Sequence, residues 1–213
     1  MKKLLMVLAV TLCGLNASAQ NEASRWTITL KVGLNWASTT DPDIYIATSP
    51  EEKVQVNKKI GLAIGAEAEY QWNQQLALSA GLIYSQQGSR WADVKDFWEN
   101  YKTSVDYLNI PILLNLYVAP GFAVKAGIQP AIKLHSNVSV DNLFLSVNQH
   151  TSNSDTDHKT LELGIPIGAS YAIGNWQMDL RYNLGLTYMR EHGEYFPEKN
   201  RVLQLTIGYR FEL

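Results

Sequence analysis

Apolar and polar residues alternate along most of this chain, in segments separated by turns or by longer polar stretches. The last segment shows the pattern most plainly, because every second residue from position 203 onward is apolar: Leu203, Leu205, Ile207, Tyr209, Phe211 and Leu213. A period of two is typical of a β-strand with two unlike faces. The pattern therefore predicts a strand here, and equivalent patterns upstream predict further strands.

Eight strands are predicted, at about 25–38, 60–72, 76–85, 107–118, 122–134, 160–173, 176–188 and 201–213. Their connections alternate strictly between long and short, and the short ones are Asn73-Gln74, Ala119-Pro120-Gly121 and Gly174-Asn175. Bacterial transmembrane barrels have short periplasmic turns and long outer loops. The order of connections therefore favours such a barrel, with both ends of the chain in the periplasm.

The contents of the two strand faces indicate which face points outward. The apolar faces of the predicted strands carry no charged residue, whereas the other face of 76–85 carries Ala77, Ser79 and Gly81, small residues that suit the interior of a narrow barrel. An open sheet edge in hydrocarbon would leave backbone groups without partners, so the last strand is expected to pair with the first. We therefore predict an all-β fold: an eight-stranded antiparallel up-and-down transmembrane β-barrel with its apolar face toward lipid.

Charged residues of both signs lie in equal numbers on the polar face. An unpaired charge inside a narrow barrel would be strongly destabilising, so we expect these residues to form a paired polar network in the lumen. The predicted network comprises Lys31, Glu67, Glu69, Lys125, Lys133, Glu162, Asp179, Arg181, Arg210 and Glu212. Within it, Glu67, Glu69 and Arg181 are expected to hold one another.

Aromatic residues mark two predicted girdles on the apolar face. Trp26 and Trp36 are separated by a stretch of strand that would span roughly 23 Å at a ~45° tilt, close to the ~25 Å apolar band of such barrels. The other candidates are Trp72, Trp176, Tyr209 and Phe211 at the periplasmic interface and Tyr84 and Tyr188 at the outer one.

Three prolines, Pro111, Pro130 and Pro166, fall within predicted strands. Proline has no backbone N–H and cannot donate to the ladder. We therefore expect bulges or distorted pairing at these three positions.

The first residues of the chain have the pattern of an export signal. Lys2 and Lys3 precede an apolar run at 4–12, and Ala17-Ser18-Ala19 supplies small residues at a cleavage site. The run is shorter than the ~20 apolar residues that a membrane-spanning helix needs. We predict a cleaved signal peptide at 1–19, with an uncleaved anchor as the alternative, and one barrel domain at 20–213. The formal net charge of −2 and the lack of a basic stripe argue against nucleic acid as a partner.

Several short motifs resemble those of the PorT-like outer-membrane β-barrel family of Bacteroidetes-type bacteria. They are Y-L-N-I-P-I-L-L at 107–114, G-I-Q-P at 127–130, R-Y-N-L-G-L at 181–186, N-R-V-L-Q-L at 200–205 and G-Y-R-F at 208–211. The resemblance implies an integral barrel in the cell outer membrane, in contact with outer-membrane lipid. The family takes its name from an accessory component of a protein-secretion system, and most members have no assigned role.

The end of the chain resembles the C-terminal signal by which outer-membrane barrels are recognised for insertion. The matching residues are Thr206, Gly208, Phe211 and Leu213, although Leu213 stands where an aromatic residue is commoner. This resemblance implies that the barrel-assembly machinery is a partner during insertion.

Recognition, if the protein performs any, is expected in the long loops, because loops on a rigid scaffold commonly carry binding residues. Trp91, Phe97, Trp98 and Tyr101, together with Val94, recur at helix-like spacing in the second long loop. A short amphipathic helix there would contact an envelope protein or the outer leaflet. The alternative is that these rings pack over the mouth of the barrel.

The other candidate residues do not form a recognisable chemical site. His150, Asp155, Asp157 and His158 match no compact metal site, and His135 and Ser136, being adjacent on a strand, point to opposite faces. We therefore expect no metal, no cofactor and no catalysis. An eight-stranded barrel is filled by its own side chains, so a diffusion pore is not expected either. The favoured role is structural or loop-mediated binding; the alternatives are an accessory subunit of a secretion machine and, least favoured, an outer-membrane lipid hydrolase.

Overall fold

The computed structural model describes residues 25–39, 45–46, 49–53, 56–91, 99–141, 149–151, 160–188 and 199–213. The predicted signal peptide at 1–19 lies outside these ranges, and the domain start at residue 20 stays a prediction. Within these ranges no helix is long and apolar enough to cross a membrane.

Eight long strands form the sheet, in the order and on the faces that the sequence predicts. They are β1 (Arg25–Thr39), β2 (Val56–Gln71), β3 (Leu76–Trp91), β4 in two segments (Glu99–Asn109 and Ile112–Ala119), β5 (Phe122–Asp141), β6 (Leu161–Ile173), β7 (Trp176–Gly185) and β8 (Asn200–Glu212). Three short strands, Tyr45–Ile46, Ser49–Lys53 and Gln149–Thr151, lie in the long connections.

Each long strand is antiparallel to the next, and the sheet closes on itself. β8 pairs with β1 over an unbroken register that runs from Thr27 opposite Glu212 to Thr39 opposite Asn200. Gly121 and Gly174, in the β4–β5 and β6–β7 turns, have φ angles of 73° and 57°, which glycine adopts most readily. The predicted eight-stranded antiparallel barrel, including the pairing of its last strand with its first, is confirmed.

Burial is inverted relative to a soluble protein. Leu30 and Leu82, in the middle of their strands, are 53% and 55% exposed, whereas Lys31 and Asn115 are 3% and 0% exposed. The apolar residues therefore cover the outside and the polar residues fill the lumen. This inversion is what a barrel in lipid requires, because the hydrocarbon then takes the place of a protein core.

Several strands continue beyond their predicted ends. β3 extends to Trp91 and β5 to Asp141, whereas the alternating pattern ends near 85 and 134, and β4 already begins at Glu99. Beyond the apolar band the outward residues no longer have to be apolar, so the sequence pattern stops while backbone pairing continues. Trp91 and Tyr101 lie on these extensions, so a helix that includes them is wrong. Residues 92–98 lie outside the described ranges.

Pro111 interrupts β4 without shifting its register. Asn109 pairs with Ile83 of β3 on one side of the break, and Ile112 pairs with Ala80 on the other, so the same offset continues across it. The carbonyl of Pro111 still accepts a hydrogen bond of 3.0 Å from the backbone of β3. The proline removes a donor but inserts no extra residue.

Pro130 and Pro166 likewise keep the register of their neighbours in β5 and β6. Of the two expected effects, no bulge forms at the prolines, whereas the distorted pairing is confirmed, because the ladder is interrupted at Pro111 and Pro166. The β4–β5 register instead shifts beside Asp106 and Tyr107.

Aromatic rings gather on the outward face near the periplasmic turns. The rings of Trp26 and Tyr70 lie 4.9 Å apart, and Tyr209 lies edge-on to both Trp176, at 5.3 Å, and Phe211, at 4.9 Å. At the other end, Tyr84 and Tyr188 face outward on β3 and just beyond β7. These positions agree with two girdles that border an apolar band.

Candidate functional site

Five charged side chains meet at the centre of the lumen and form what we call the central cluster: Lys31, Glu67, Lys125, Asp179 and Arg181. They come from four strands, β1, β2, β5 and β7. Each is at most 3% exposed. Because three are cations and two are anions, every anion is shared by several cations.

Asp179 and Glu67 each contact all three cations. The Nζ atoms of Lys31 and Lys125 lie 3.2 and 3.1 Å from Asp179 Oδ2. The same two ammonium groups lie 3.1 and 3.3 Å from the carboxylate oxygens of Glu67. Arg181 donates to Asp179 from Nε at 2.6 Å and from Nη2 at 2.9 Å, and its Nη2 also contacts Glu67. The cluster is thus one connected ionic network rather than separate pairs.

Glycines make room for these long side chains. Lys31 is flanked across the sheet by Gly65 on β2 and Gly208 on β8, and Gly168 on β6 lies between Lys125 and Arg181. A Cβ atom at Gly65 would lie 2.1 Å from a backbone oxygen of β3, and one at Gly168 would lie 2.3 Å from a backbone oxygen of β7. A side chain at either position would collide with this backbone. The lumen next to these glycines is therefore filled by the charged side chains.

Glu69 and Glu162 lie outside the central cluster, and each accepts hydrogen bonds from neutral groups. Glu69 accepts hydrogen bonds from the amide of Asn115, at 2.6 Å, and from the hydroxyl of Tyr117. Glu162, toward the outer end, accepts one from the hydroxyl of Tyr107 and interacts electrostatically with Lys133. Of the three residues expected to hold one another, Glu67 and Arg181 are in contact, whereas Glu69 binds two polar groups of β4 instead.

Arg210 and Glu212 lie near the end of β8, away from the central cluster. Glu212 forms an ion pair of 3.1 Å with Arg25, and the two side chains are 50% and 41% exposed. Arg210 is partly exposed. Both residues lie near the end of β8, where the lumen opens to solvent and a charge no longer needs a buried partner. Their membership of one paired lumen network stays a prediction, because Glu212 pairs with Arg25 while Arg210 interacts electrostatically with Tyr117 of the lumen.

The tyrosines and amides of β4 are the lumen residues that sequence reasoning missed. Tyr107, Asn109, Asn115 and Tyr117 all point inward and are at most 3% exposed. Their alternation with Leu108, Ile110 and the following outward residues is visible in the sequence, but charge alone does not identify every residue that takes part in lumen hydrogen bonds. A tyrosine on the polar face of a strand does indicate a hydrogen bond in the lumen, because a buried hydroxyl needs a partner.

A small cavity of about 30 Å³ lies on the outer side of the central cluster. Its polar walls include Asn109 of β4, Gln129 of β5, Glu162 of β6 and Asn183 of β7. The side-chain oxygens of the three amides have no hydrogen-bond partner within the protein. The walls therefore combine amides, which both donate and accept hydrogen bonds, with one carboxylate.

The residues of the predicted insertion signal, and the pair His135 and Ser136, lie on different faces of their strands. Thr206 and Gly208 of the predicted insertion signal are buried on the lumen face, whereas Phe211 and Leu213 are exposed on the outer face. Their role in insertion stays a prediction. His135 is exposed and Ser136 buried, so they do lie on opposite faces.

Most of the loop candidates lie outside the residues that the structure describes. Phe97 and Trp98 lie outside the described residues, as do Asp155, Asp157 and His158. The backbones of Trp91, Tyr101 and His150 are in strands.

Comparison with known proteins places the barrel among outer-membrane proteins. The family model named outer membrane protein beta-barrel domain matches residues 18–190. Among solved structures, Ail, the attachment invasion locus protein of Yersinia pestis, is 13% identical, with 89% of this chain and 100% of that chain covered and a TM-score of 0.51. A search of curated proteins found no significant match.

Two further solved structures are similar over most of their length. Neisserial surface protein A is 14% identical, with 88% of this chain and 97% of that chain covered and a TM-score of 0.47. OprG from Pseudomonas aeruginosa is 10% identical, with coverages of 89% and 97% and a TM-score of 0.46. The match to the family model and the closed barrel together show that this chain belongs to the family of the outer membrane protein beta-barrel domain and lies in the outer membrane.

Proposed function

We propose that this protein is a closed scaffold in the outer membrane that binds a partner through its outer loops, without conducting solutes, without catalysis and without a cofactor. The observation that supports a closed scaffold is the central cluster. In a ring of eight strands, β1 and β5 are opposite each other. Lys31 from β1 and Lys125 from β5 nevertheless contact the same oxygen of Asp179.

Side chains from opposite walls that meet at one atom leave no continuous aqueous path between them. An eight-stranded barrel has an interior just wide enough for side chains to fill. The ionic contacts also hold these side chains in place, because separating any of them leaves a buried charge without its partner. The cluster therefore acts as a fixed plug across the lumen.

Single-channel recording in planar lipid bilayers tests the closed scaffold. We expect no conductance steps from the wild-type barrel. The double variant Lys125→Ala with Asp179→Ala removes one cation and one anion, so the net charge of the cluster is unchanged while the plug is shortened. That variant should show small steps. Porin-like steps from the wild-type protein would refute the proposal.

Loop-mediated binding is supported by the length of the strands. β3 and β5 continue well past the apolar band, so they hold the outer connections on a rigid hydrogen-bonded frame. Ail, which shares this fold, is described in complex with a heparin analogue. A barrel of this type can therefore present a ligand-binding surface.

Capture experiments from outer-membrane extracts test the predicted loop contact. The variant lacking 92–98 removes Phe97 and Trp98 but leaves both flanking strands intact. A variant lacking 152–159, from the third outer connection, is a matched control of similar length. We expect a partner that is captured by the wild-type protein and by the control but not by the first variant. Equal capture by all three proteins would count against this loop.

The similarity to the PorT-like branch, and with it an accessory role in secretion, stays a prediction. Secreted proteins from a strain without this gene would test it, and unchanged secretion would remove it. Incubation of the purified barrel with labelled phospholipid tests the least favoured alternative, a lipid hydrolase, and no turnover would exclude it for that substrate.

A further inference from the structure

The outward face of the barrel changes from apolar to cationic at the outer ends of three adjacent strands. Trp36 of β1 lies between Leu203 of β8 and Ile60 of β2, and all three side chains face outward. The next outward residues on these strands are Ser38, Arg201 and Lys58. A step of two residues covers ~6.6 Å of strand, or roughly 5 Å along the membrane normal at a ~45° tilt. The second row therefore lies just beyond the apolar band, at the depth of the lipid headgroups.

Arg201 and Lys58 lie one strand to either side of Ser38. On one side, Ser38 pairs directly with Arg201. On the other side, Ala37 pairs with Lys59, so the next residues outward, Ser38 and Lys58, lie side by side. Neighbouring strands are ~4.8 Å apart, which places the backbones of the two cationic residues roughly 10 Å from each other. Both side chains are long enough to contact a single group that lies over the small side chain of Ser38.

No carboxylate among the described residues neutralises these two cations. The side chains of Arg201 and Lys58 are exposed, and neither forms an ion pair with a described residue. Lys199 adds a third cation just before β8, where its ammonium group lies 5.2 Å from the ring centre of Tyr188. Basic residues at the surface of a membrane attract anionic headgroups. This side of the outer rim therefore favours an anion.

The opposite side of the outer rim carries a negative charge. In a ring of eight strands β4 is opposite β8, and Asp106 of β4 faces outward between Gln86 of β3 and His135 of β5. Its carboxylate accepts a hydrogen bond of 3.0 Å from the hydroxyl of Tyr84. The cations thus form a local patch rather than a belt around the barrel. A local patch favours one defined site over a general attraction to the membrane surface.

We propose that Arg201 and Lys58 together bind the phosphate group of an anionic lipid in the outer leaflet. A guanidinium group can bind a phosphate through two parallel hydrogen bonds, whereas an ammonium group binds it as a point charge. Because Ser38 is small, the space between the two cations stays open to the headgroup.

The apolar row beside the site favours a lipid over a soluble anion. Leu203 and Ile60 are 37% and 61% exposed on the outer face, next to the ring of Trp36. The acyl chains of a lipid whose phosphate lies over Ser38 would extend along these side chains. A soluble phosphate compound would make no use of them. The site lies on the barrel wall, so it does not depend on the loop partner of the proposed function.

Native mass spectrometry of the complete barrel refolded in detergent tests the site. The probe is lipid A, and its matched control is enzymatically dephosphorylated lipid A, which has the same acyl chains. We expect the wild-type barrel to bind lipid A at least about fivefold more tightly than the control lipid. Equal binding of the two lipids would overturn the proposal. Full displacement of lipid A by millimolar inorganic phosphate would also overturn it, because the site would then take a free anion.

Substitutions at the two cations locate the bound phosphate. Arg201→Gln and Lys58→Gln should each weaken the binding of lipid A by about fivefold and leave the dephosphorylated lipid unaffected. Arg201→Lys keeps the charge but loses the paired hydrogen bonds, so its affinity should lie between those of the wild type and Arg201→Gln. Arg25→Gln removes a partly exposed cation at the periplasmic end and is the matched control, which should bind lipid A as the wild type does. Heat-modifiable gel mobility verifies that each variant is folded.

Equal weakening by Arg201→Gln and Arg25→Gln would refute a defined site, because lipid A would then respond to the total charge of the barrel. Unchanged binding in both Arg201→Gln and Lys58→Gln would also refute it, because the phosphate would lie elsewhere. Neither result would bear on the conductance or on the loop captures that test the proposed function.

Discussion

Arg181 shows how a narrow barrel accommodates a charged side chain that has left water. Its guanidinium donates to both Asp179 and Glu67, and its neighbour across the sheet, Gly168, leaves the space that it fills. The large desolvation penalty of a buried ion is offset only when several partners surround it. In the central cluster each ion has at least two partners of opposite sign, and the loss of any one of them affects the whole cluster.

Glu67→Gln should therefore strongly destabilise the barrel. It removes one of two anions and leaves three buried cations facing Asp179 alone, a change that typically costs about 3–5 kcal/mol. Glu212→Gln breaks an exposed ion pair and should cost at most about 1 kcal/mol. Urea unfolding of both variants in phospholipid vesicles, followed by tryptophan fluorescence, measures the difference. Equal unfolding midpoints would contradict a cluster that stabilises the fold.

At the scale of the strand, the sequence predicts the segments whose outward residues must be apolar because they contact lipid. Alternation in 201–213 and its counterparts placed all eight strands and both faces correctly, because every outward position within the apolar band must be apolar. Beyond the band that constraint ends, so no alternating pattern in the sequence predicts the extension of β3 to Trp91. The prolines disturb the pairing as expected, but they form no bulge. A missing N–H interrupts one bond of the ladder but does not change how many residues lie between the flanking pairs.

Lumen-facing glycines differ in what they do for their strands, and substitution by alanine should separate them. In Gly65→Ala the new Cβ would lie 2.1 Å from the backbone oxygen of Leu82, so β2 and β3 must move apart. In Gly164→Ala the nearest backbone atom is 3.2 Å away and a small shift suffices. We expect Gly65→Ala to reduce the yield of folded barrel severely and Gly164→Ala to fold nearly as the wild type. Refolding yields by heat-modifiable mobility measure both, and similar yields would contradict the close approach at Gly65.

At the scale of the whole molecule, the sequence predicted which residues enter the lumen better than how they pair. Alternation places Glu67 and Glu69 on the same inward face, yet Glu67 joins the central cluster while Glu69 binds Asn115 and Tyr117. Pairing depends on height along the barrel axis and on the stagger between strands, which a single strand's pattern does not contain. The same holds for Glu212, which faces a lumen that has already opened to solvent. The sequence therefore predicts which residues fill the lumen, whereas the contacts among them are seen only in the closed barrel.

The inverted arrangement of the barrel makes a depth-dependent prediction that a soluble barrel would not. Leu30 and Ile173 are both outward-facing and exposed, at 53% and 68%, but Leu30 lies in mid-strand and Ile173 beside the β6–β7 turn. Leu30→Arg places a charge in hydrocarbon and should destabilise the barrel in phospholipid vesicles by about 2–4 kcal/mol. Ile173→Arg lies near the membrane interface and should cost about 0–1 kcal/mol. Urea unfolding midpoints measure both. If the two substitutions cost the same, the middle of the outer surface is not in lipid, because in water two similarly exposed side chains would tolerate arginine equally.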